Sequence, residues 1–254
     1  MLFRSVVEST YGDRTHNGHD PATALAAIVD ATIARGGTVV IPTFAVGRAQ
    51  TLLFHLQRLK ETGRLPAVPV FLDSPMAVDA SDLFCTAGKD HKLSEEQCRR
   101  ACAIARYTRS VEESQALDRD PKPKIILSAS GMATGGRVLY HLKRYASDPK
   151  NTILFAGFQA GGTRGAAMLA GATSIKMHGE YVPVGAEVKN LDMLSAHADA
   201  NEIMRWLRGF KQPPRATFIT HGEPVAADAL RHRIEEELGW SALVPDHGQQ
   251  VELS

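Results

Sequence analysis

The sequence predicts an α/β protein built on a doubly wound parallel sheet, and three observations carry that expectation. Four short, β-branched apolar runs are separated by helix-length segments. Three of those runs end in small or polar residues, as strands do where an open parallel sheet presents its binding loops. After about residue 175 the pattern changes to closely spaced strands, then a helix–strand–helix alternation, which marks a second unit.

The elements follow in order. A short apolar run at the N-terminus ends in Glu8. Helical stretches over 21–35 and 46–62 flank the strand GTVVIPTF (37–44). AVPVFLDSP (67–75) is the second strand, with helices expected from Met76 to about Tyr107. The charged, proline-rich DRDPKPK (118–124) is a connector. PKIILSAS (123–130) and NTILFAGF (151–158) are the third and fourth strands, with a helix over 135–146 between them. IKMHGEYVPVGAEVKNLDML (175–194) reads as successive strands with a turn at Gly185. A helix over about 200–210 opens on a capping box of Asp199 and Glu202 and carries the apolar stripe Ile203, Met204, Trp206 and Leu207. Strand 215–220, helix 225–238 and a closing β segment, QQVELS, complete the chain. The two units are expected to join near residue 180.

With 254 residues, 44% apolar and 22% charged, the chain can bury a core as one large domain or two smaller ones. The net charge of +1 gives no global signal for nucleic acid, although a local basic groove is compatible with it. No apolar run approaches the roughly 18 residues of a membrane helix, so no membrane partner is expected. Three cysteines, Cys85, Cys98 and Cys102, are too few and too odd for a disulfide framework and suit a cytoplasmic protein. Cys98 and Cys102 lie one helical turn apart. They read as reduced helix-face thiols, with a metal pair as the alternative.

Chemistry-bearing residues cluster at strand ends. Pro42-Thr43-Phe44 leads to Gly47 and Arg48, Asp73-Ser74-Pro75 ends the second strand, and Ser128-Ala129-Ser130-Gly131 ends the third, ahead of Gly135-Gly136-Arg137. Backbone N–H groups at a helix start with an arginine nearby make a phosphate cradle. Tight strand-to-helix turns would look the same. GFQAGGTR (157–164) has the glycine spacing of a nucleotide loop but lacks its Lys-Ser/Thr, which argues against a nucleoside triphosphatase. His197 stands just before a capped helix and His221 at the end of the next strand. With Glu8 they suit general acid–base work or a metal site. The remaining histidines, His16 and His141 among them, read as structural or surface residues.

Six stretches together, ESTYGDRTH, IPTFAVGRAQTLL, FLDSPMAVDA, ILSASGMATGGRVLYHL, SAHAD and THGE, resemble the ordered motifs of the β-CASP ribonucleases of the metallo-β-lactamase fold. The likeness runs from about Val6 to the C-terminus. It implies the end of a first lactamase-fold segment over 1–21, a β-CASP domain over 22–180, and the C-terminal part of an αββα lactamase domain over 181–254. It also implies a zinc-dependent phosphodiester hydrolase acting on RNA, with two zinc ions in the complete enzyme. Glu8 matches the family's first motif acid and His197 its second motif histidine. His221 matches its third motif, a metal ligand. By the same resemblance His197 would protonate the leaving oxygen and Glu8 would orient its ring. Ser128, Ser130, Gly131 and Arg48 would contact phosphate. The family's H-x-H-x-D-H zinc cluster does not occur in the sequence. The chain is therefore expected to be the C-terminal portion of a longer enzyme, inactive alone, whose partners are RNA, the missing N-terminal portion and a second copy. A non-catalytic RNA-binding module or pseudo-enzyme subunit is the first alternative, and a small-molecule hydrolase of the same fold the second.

Overall fold

The computed structural model describes residues 3–252. In chain order its elements are β1 (Ser5–Glu8), α1 (Pro21–Ala34), β2 (Val39–Pro42), α2 (Arg48–Glu61), β3 (Val70–Asp73), α3 (Pro75–Thr86) and α4 (Glu95–Ala103). There follow β4 (Ala105–Thr108), α5 (Val111–Arg119), β5 (Ile125–Ser128), α6 (Val138–Tyr145), β6 (Thr152–Phe155), α7 (Arg164–Leu169) and β7 (Ser174–Met177). The chain closes with β8 (Glu180–Pro183), β9 (Glu187–Asn190), α8 (Ala200–Leu207), β10 (Thr217–Thr220), α9 (Pro224–Leu238) and β11 (Ala242–Leu243). It divides into two compact units, Gly18–Leu194, and Met1–Asn17 together with Ser195–Ser254.

The larger unit is a six-stranded parallel sheet in the order β4-β3-β5-β2-β6-β9. Strands β2, β3, β5 and β6 are buried at every position, as parallel strands covered on both faces must be. Side chains alternate between two cores. Val39, Ile41, Leu72 and Leu127 pack with Leu25, Val29 and Leu52 of α1 and α2. Val40, Ile126, Ile153 and Phe155 pack with Val138 and Leu142 of α6. The antiparallel hairpin β7–β8 adds Met177 and Val182 to that second core.

Three features differ from the sequence reading. The helices after Met76 end at Thr86 and Ala103, and the chain then enters edge strand β4 and helix α5. Ser110 and Glu113 form a complete capping box at the start of α5, a signal the sequence carried. Residues 249–252 of QQVELS are irregular, while Leu253 and Ser254 lie outside the described residues. The closing strand is instead β11, two residues long and paired with β10. Finally, β9 hydrogen-bonds to β6, which puts 187–190 in the larger sheet.

A buried charge network holds the carboxyl end of β3. Asp73 is fully buried and its carboxylate accepts from Thr108 Oγ1 (2.5 Å), Ser114 Oγ (2.5 Å), Arg137 (2.7 Å) and His141 Nε2 (2.7 Å). His141 Nδ1 reaches Asp118 at 2.7 Å. Burial by itself would push the imidazole down, but Asp118 and Asp73 outweigh it and hold His141 up to about 9. Burial likewise raises Asp73, and its four donors reverse that and hold it far below the usual carboxylate range. The result is a buried imidazolium shared by two carboxylates, tying α5 and α6 to β3.

Because His141 is raised in the folded state, its contribution is complete below about pH 6.5 and lost as pH rises through about 9. Unfolding free energy should fall over that window by up to about 3 kcal/mol. His141→Gln should flatten this slope in urea titrations across the same pH range. A slope unchanged by the substitution would refute the assignment.

Candidate functional site

The site is built in the smaller unit, from the parallel sheet β1-β10-β11. The register pairs Ser5 with Thr217 and Glu8 with Thr220, so both strands end at one level and His221 emerges beside Glu8. Alternation sends Val7 and Ile219 into a core with Met204, Leu207, Leu230 and Ile234 of α8 and α9. Two local constraints shape the turn after β10. Ser9 Oγ donates to the Thr220 carbonyl at 2.8 Å. A Cβ on Gly222 would overlap that hydroxyl and stand 2.5 Å from the Ser9 carbonyl oxygen. His221 has φ +56°. That left-handed backbone costs a non-glycine residue about 1 kcal/mol, and it marks His221 as a strained position of the kind found at functional sites.

A second set of bonds fixes the segment carrying His197. Asp199 caps α8 in a capping box with Glu202, as the sequence predicts. Its carboxylate also accepts from the His16 backbone amide at 2.9 Å, and Ala200 N donates to the Arg14 carbonyl at 3.1 Å. The His16 ring donates through Nε2 to the His197 carbonyl at 2.8 Å. The same ring packs edge-on against Tyr11.

Glu8, His197 and His221 converge. Glu8 Oε2 lies 2.8 Å from His197 Nδ1, while its carboxylate also accepts from the amides of Ala198 (3.2 Å) and Thr10 (3.3 Å). Burial raises the Glu8 carboxyl, but Thr10's side chain, the His197 ring and the two amides win and leave it below its ordinary value. An ionised carboxylate only accepts, so His197 carries its proton on Nδ1. Thr10 does the same for the other ring. Its hydroxyl lies 3.1 Å from both the His221 carbonyl oxygen and His221 Nδ1. Thr10 Oγ1 lies 3.3 Å from His197 Nδ1 as well. The two rings stack with centroids 5.2 Å apart. Both imidazoles are thus held through Nδ1, and both keep Nε2 for chemistry.

This arrangement bears on metal binding. One ligand atom from each of Glu8, His197 and His221 lies within 4.8 Å of the others. The Glu8 carboxylate, however, is committed to His197 and two amides. That leaves at most two imidazole nitrogens, and zinc sites take three or four protein ligands. The residues present do not make a zinc site by themselves.

The other sequence candidates belong to the larger unit and not to this cluster. Ser128 is fully buried at the end of β5, and its hydroxyl donates to the Asp73 carbonyl at 2.8 Å. Ser130 Oγ accepts from the amides of Thr134 and Gly135 and closes its own loop. Gly131 presses on Phe44, whose ring and amide stand 2.9 Å from where a Cβ would be. The Arg48 guanidinium donates to the Ala156 carbonyl, and Arg137 is occupied by Asp73. Gly131 and Arg48 do share the carboxyl edge of the parallel sheet. Thr10 and His16, by contrast, belong to the smaller unit's site and were not singled out by the sequence. Both lie in the stretch that carries Glu8, so that stretch was the available signal.

A parallel α/β chain with a carboxylate-held histidine beside a second, hydroxyl-held histidine is the class of protein defined so far. Two family models match: the Beta-Casp domain over residues 49–168 and the Zn-dependent metallo-hydrolase RNA specificity domain over 181–245. The chain is 36% identical over 257 residues to ribonuclease TTHA0252 of Thermus thermophilus, covering 98% of this chain and 56% of that protein. It is 33% identical to transcription termination factor FttA of Methanosarcina mazei, covering 92% and 39%, and 31% identical to the RNase J-like protein of Methanocaldococcus jannaschii, covering 96% and 57%. The chain belongs to the β-CASP family of the metallo-β-lactamase fold. It spans between about two-fifths and three-fifths of the length of these relatives.

Gly222→Ala should destabilise the fold by about 2 kcal/mol, since the new methyl must displace Ser9. Urea denaturation gives the value. A change below about 0.5 kcal/mol would mean that the turn is not the constraint described.

Proposed function

We propose that the chain is the carboxyl-terminal portion of a zinc-dependent phosphodiester hydrolase that acts on RNA. The observation that carries this reading is the Glu8–His197 pair at 2.8 Å with the His197 Nε2 left uncommitted. A histidine held by a carboxylate at Nδ1 presents a proton from Nε2 to a leaving oxygen, a contribution of about 10²- to 10⁴-fold in general acid catalysis. His221, held by Thr10, offers Nε2 as a metal ligand. The rest of the ligand set would come from residues outside this chain, in keeping with the greater length of the relatives. RNA as substrate is supported by the RNA specificity domain match. Gly131 and Arg48, at the carboxyl edge of the large sheet, remain our candidates for backbone contacts to the RNA. Ser128 and Ser130 would contribute only through the loop they brace. We place the protein in the cytoplasm, where its three free thiols would stay reduced.

The small unit also supports a missing neighbour. Its sheet has β1 at one edge, with Val6 two-thirds exposed on the face opposite α8 and α9. An open strand edge beside exposed apolar side chains invites pairing. We propose that the amino-terminal portion of the enzyme covers this edge. The incomplete metal-ligand set favours a second reading, a non-catalytic RNA-binding subunit.

The chain alone should cleave no labelled RNA, and the protein extended through its full reading frame should cleave it. In the extended protein His197→Ala should lower cleavage at least about 100-fold while zinc content stays unchanged. An extended protein that binds RNA without cleaving it would leave the non-catalytic reading in place. By size-exclusion chromatography the isolated chain should run larger than its 27.5 kDa mass. A clean monomer would argue against an uncovered edge.

A further inference from the structure

The larger unit carries a second convergence of metal-binding side chains, remote in sequence from Glu8, His197 and His221. Cys85 in the last turn of α3, and Cys98 and Cys102 one turn apart on α4, bring their three Sγ atoms within 4.8 Å of one another. Cys85 Sγ lies 2.6 Å from Cys102 Sγ and 3.0 Å from Cys98 Sγ. Cys98 is buried, while Cys85 and Cys102 are partly exposed, so a solvent-borne ion can reach the cluster.

We propose that these three cysteines form a thiolate site for one soft, closed-shell divalent cation of the zinc class. Two observations favour a metal over a disulfide. First, a disulfide uses two sulfurs, whereas here three meet at one point, the number a zinc site with one open position takes from the protein. Second, the Tyr107 hydroxyl is buried beside Cys102, with no hydrogen-bond partner among the described residues. A thiolate at Cys102 would give that hydroxyl an acceptor, which a neutral thiol does poorly. A cation bound by all three would also link α3 to α4. On binding, each thiol loses its proton to solvent and the cation gains three sulfur ligands, with no oxidant or reductant involved. Sulfur–metal distances of about 2.3 Å place sulfurs nearly 4 Å apart, so the two short contacts would widen by small side-chain rotations.

The test is a Cd²⁺ titration of the reduced, metal-stripped chain, followed by the ultraviolet sulfur-to-cadmium charge-transfer band. The band should saturate at about one equivalent per chain. Cys98→Ser should abolish it, and His221→Ala should leave it intact. Cys85→Ser and Cys102→Ser, at partly exposed positions, serve as controls should the buried Cys98→Ser variant misfold. Each should weaken cadmium binding at least tenfold with the far-ultraviolet circular dichroism unchanged. No band, a band indifferent to the cysteine variants, or chain purified without reductant that shows one free thiol and no bound metal would each overturn the proposal. The last outcome would make the cluster a disulfide site instead.

Discussion

The parallel pairing of β1 with β10 is the constraint on which the candidate site depends. It joins residues more than two hundred positions apart in register, Ser5 to Thr217 and Glu8 to Thr220. Everything chemical is then within reach of the strand ends. Glu8 meets the His197 segment, and Thr10, two residues further along, meets His221. One hydroxyl lying between two imidazole Nδ1 atoms means that the histidines are positioned as a pair. Loss of the strand register would remove both at once.

The two units solve the problem of holding charge in different ways. In the larger unit Asp73, His141 and Asp118 are withdrawn from water and satisfied by one another, by Arg137 and by two hydroxyls. Such a network is costly to break, because any missing partner leaves a buried charge uncompensated. In the smaller unit the Glu8–His197 pair is only partly buried, with roughly a third of each side chain accessible. That exposure limits what the pair adds to stability, and it is what the proposed proton donor would need to meet a substrate. The contrast separates a buried, fully partnered histidine from an accessible one on physical grounds.

Much of this was legible in the sequence, and the reasons are local. The largely apolar runs of β2, β3, β5 and β6 announced a parallel sheet, and Asp199 with Glu202 announced the start of α8. Glu8, His197 and His221 could be singled out because each sits where a strand ends or a helix starts. Edge strand β4 was missed because ARYT is short and half-exposed. The positions of the proposed RNA contacts were legible, but the commitments of their polar groups were not. Nothing in ILSASG tells that Ser128 points its hydroxyl at the Asp73 backbone. Thr10 was invisible for the same reason: its role depends on residues brought in by a pairing that no local pattern specifies. The thiol cluster was half visible, as two cysteines one turn apart, and the third partner required the packing of α3 on α4.

The central claim is that Glu8 and Thr10 hold both histidines through Nδ1 and leave both Nε2 atoms available. Long-range ¹⁵N–¹H correlation spectra of the imidazoles test it directly. His197 and His221 should each show a proton on Nδ1, with Thr10→Val releasing His221 and Glu8→Gln releasing His197. Spectra in which either ring is protonated on Nε2 alone in the unaltered protein would contradict the account.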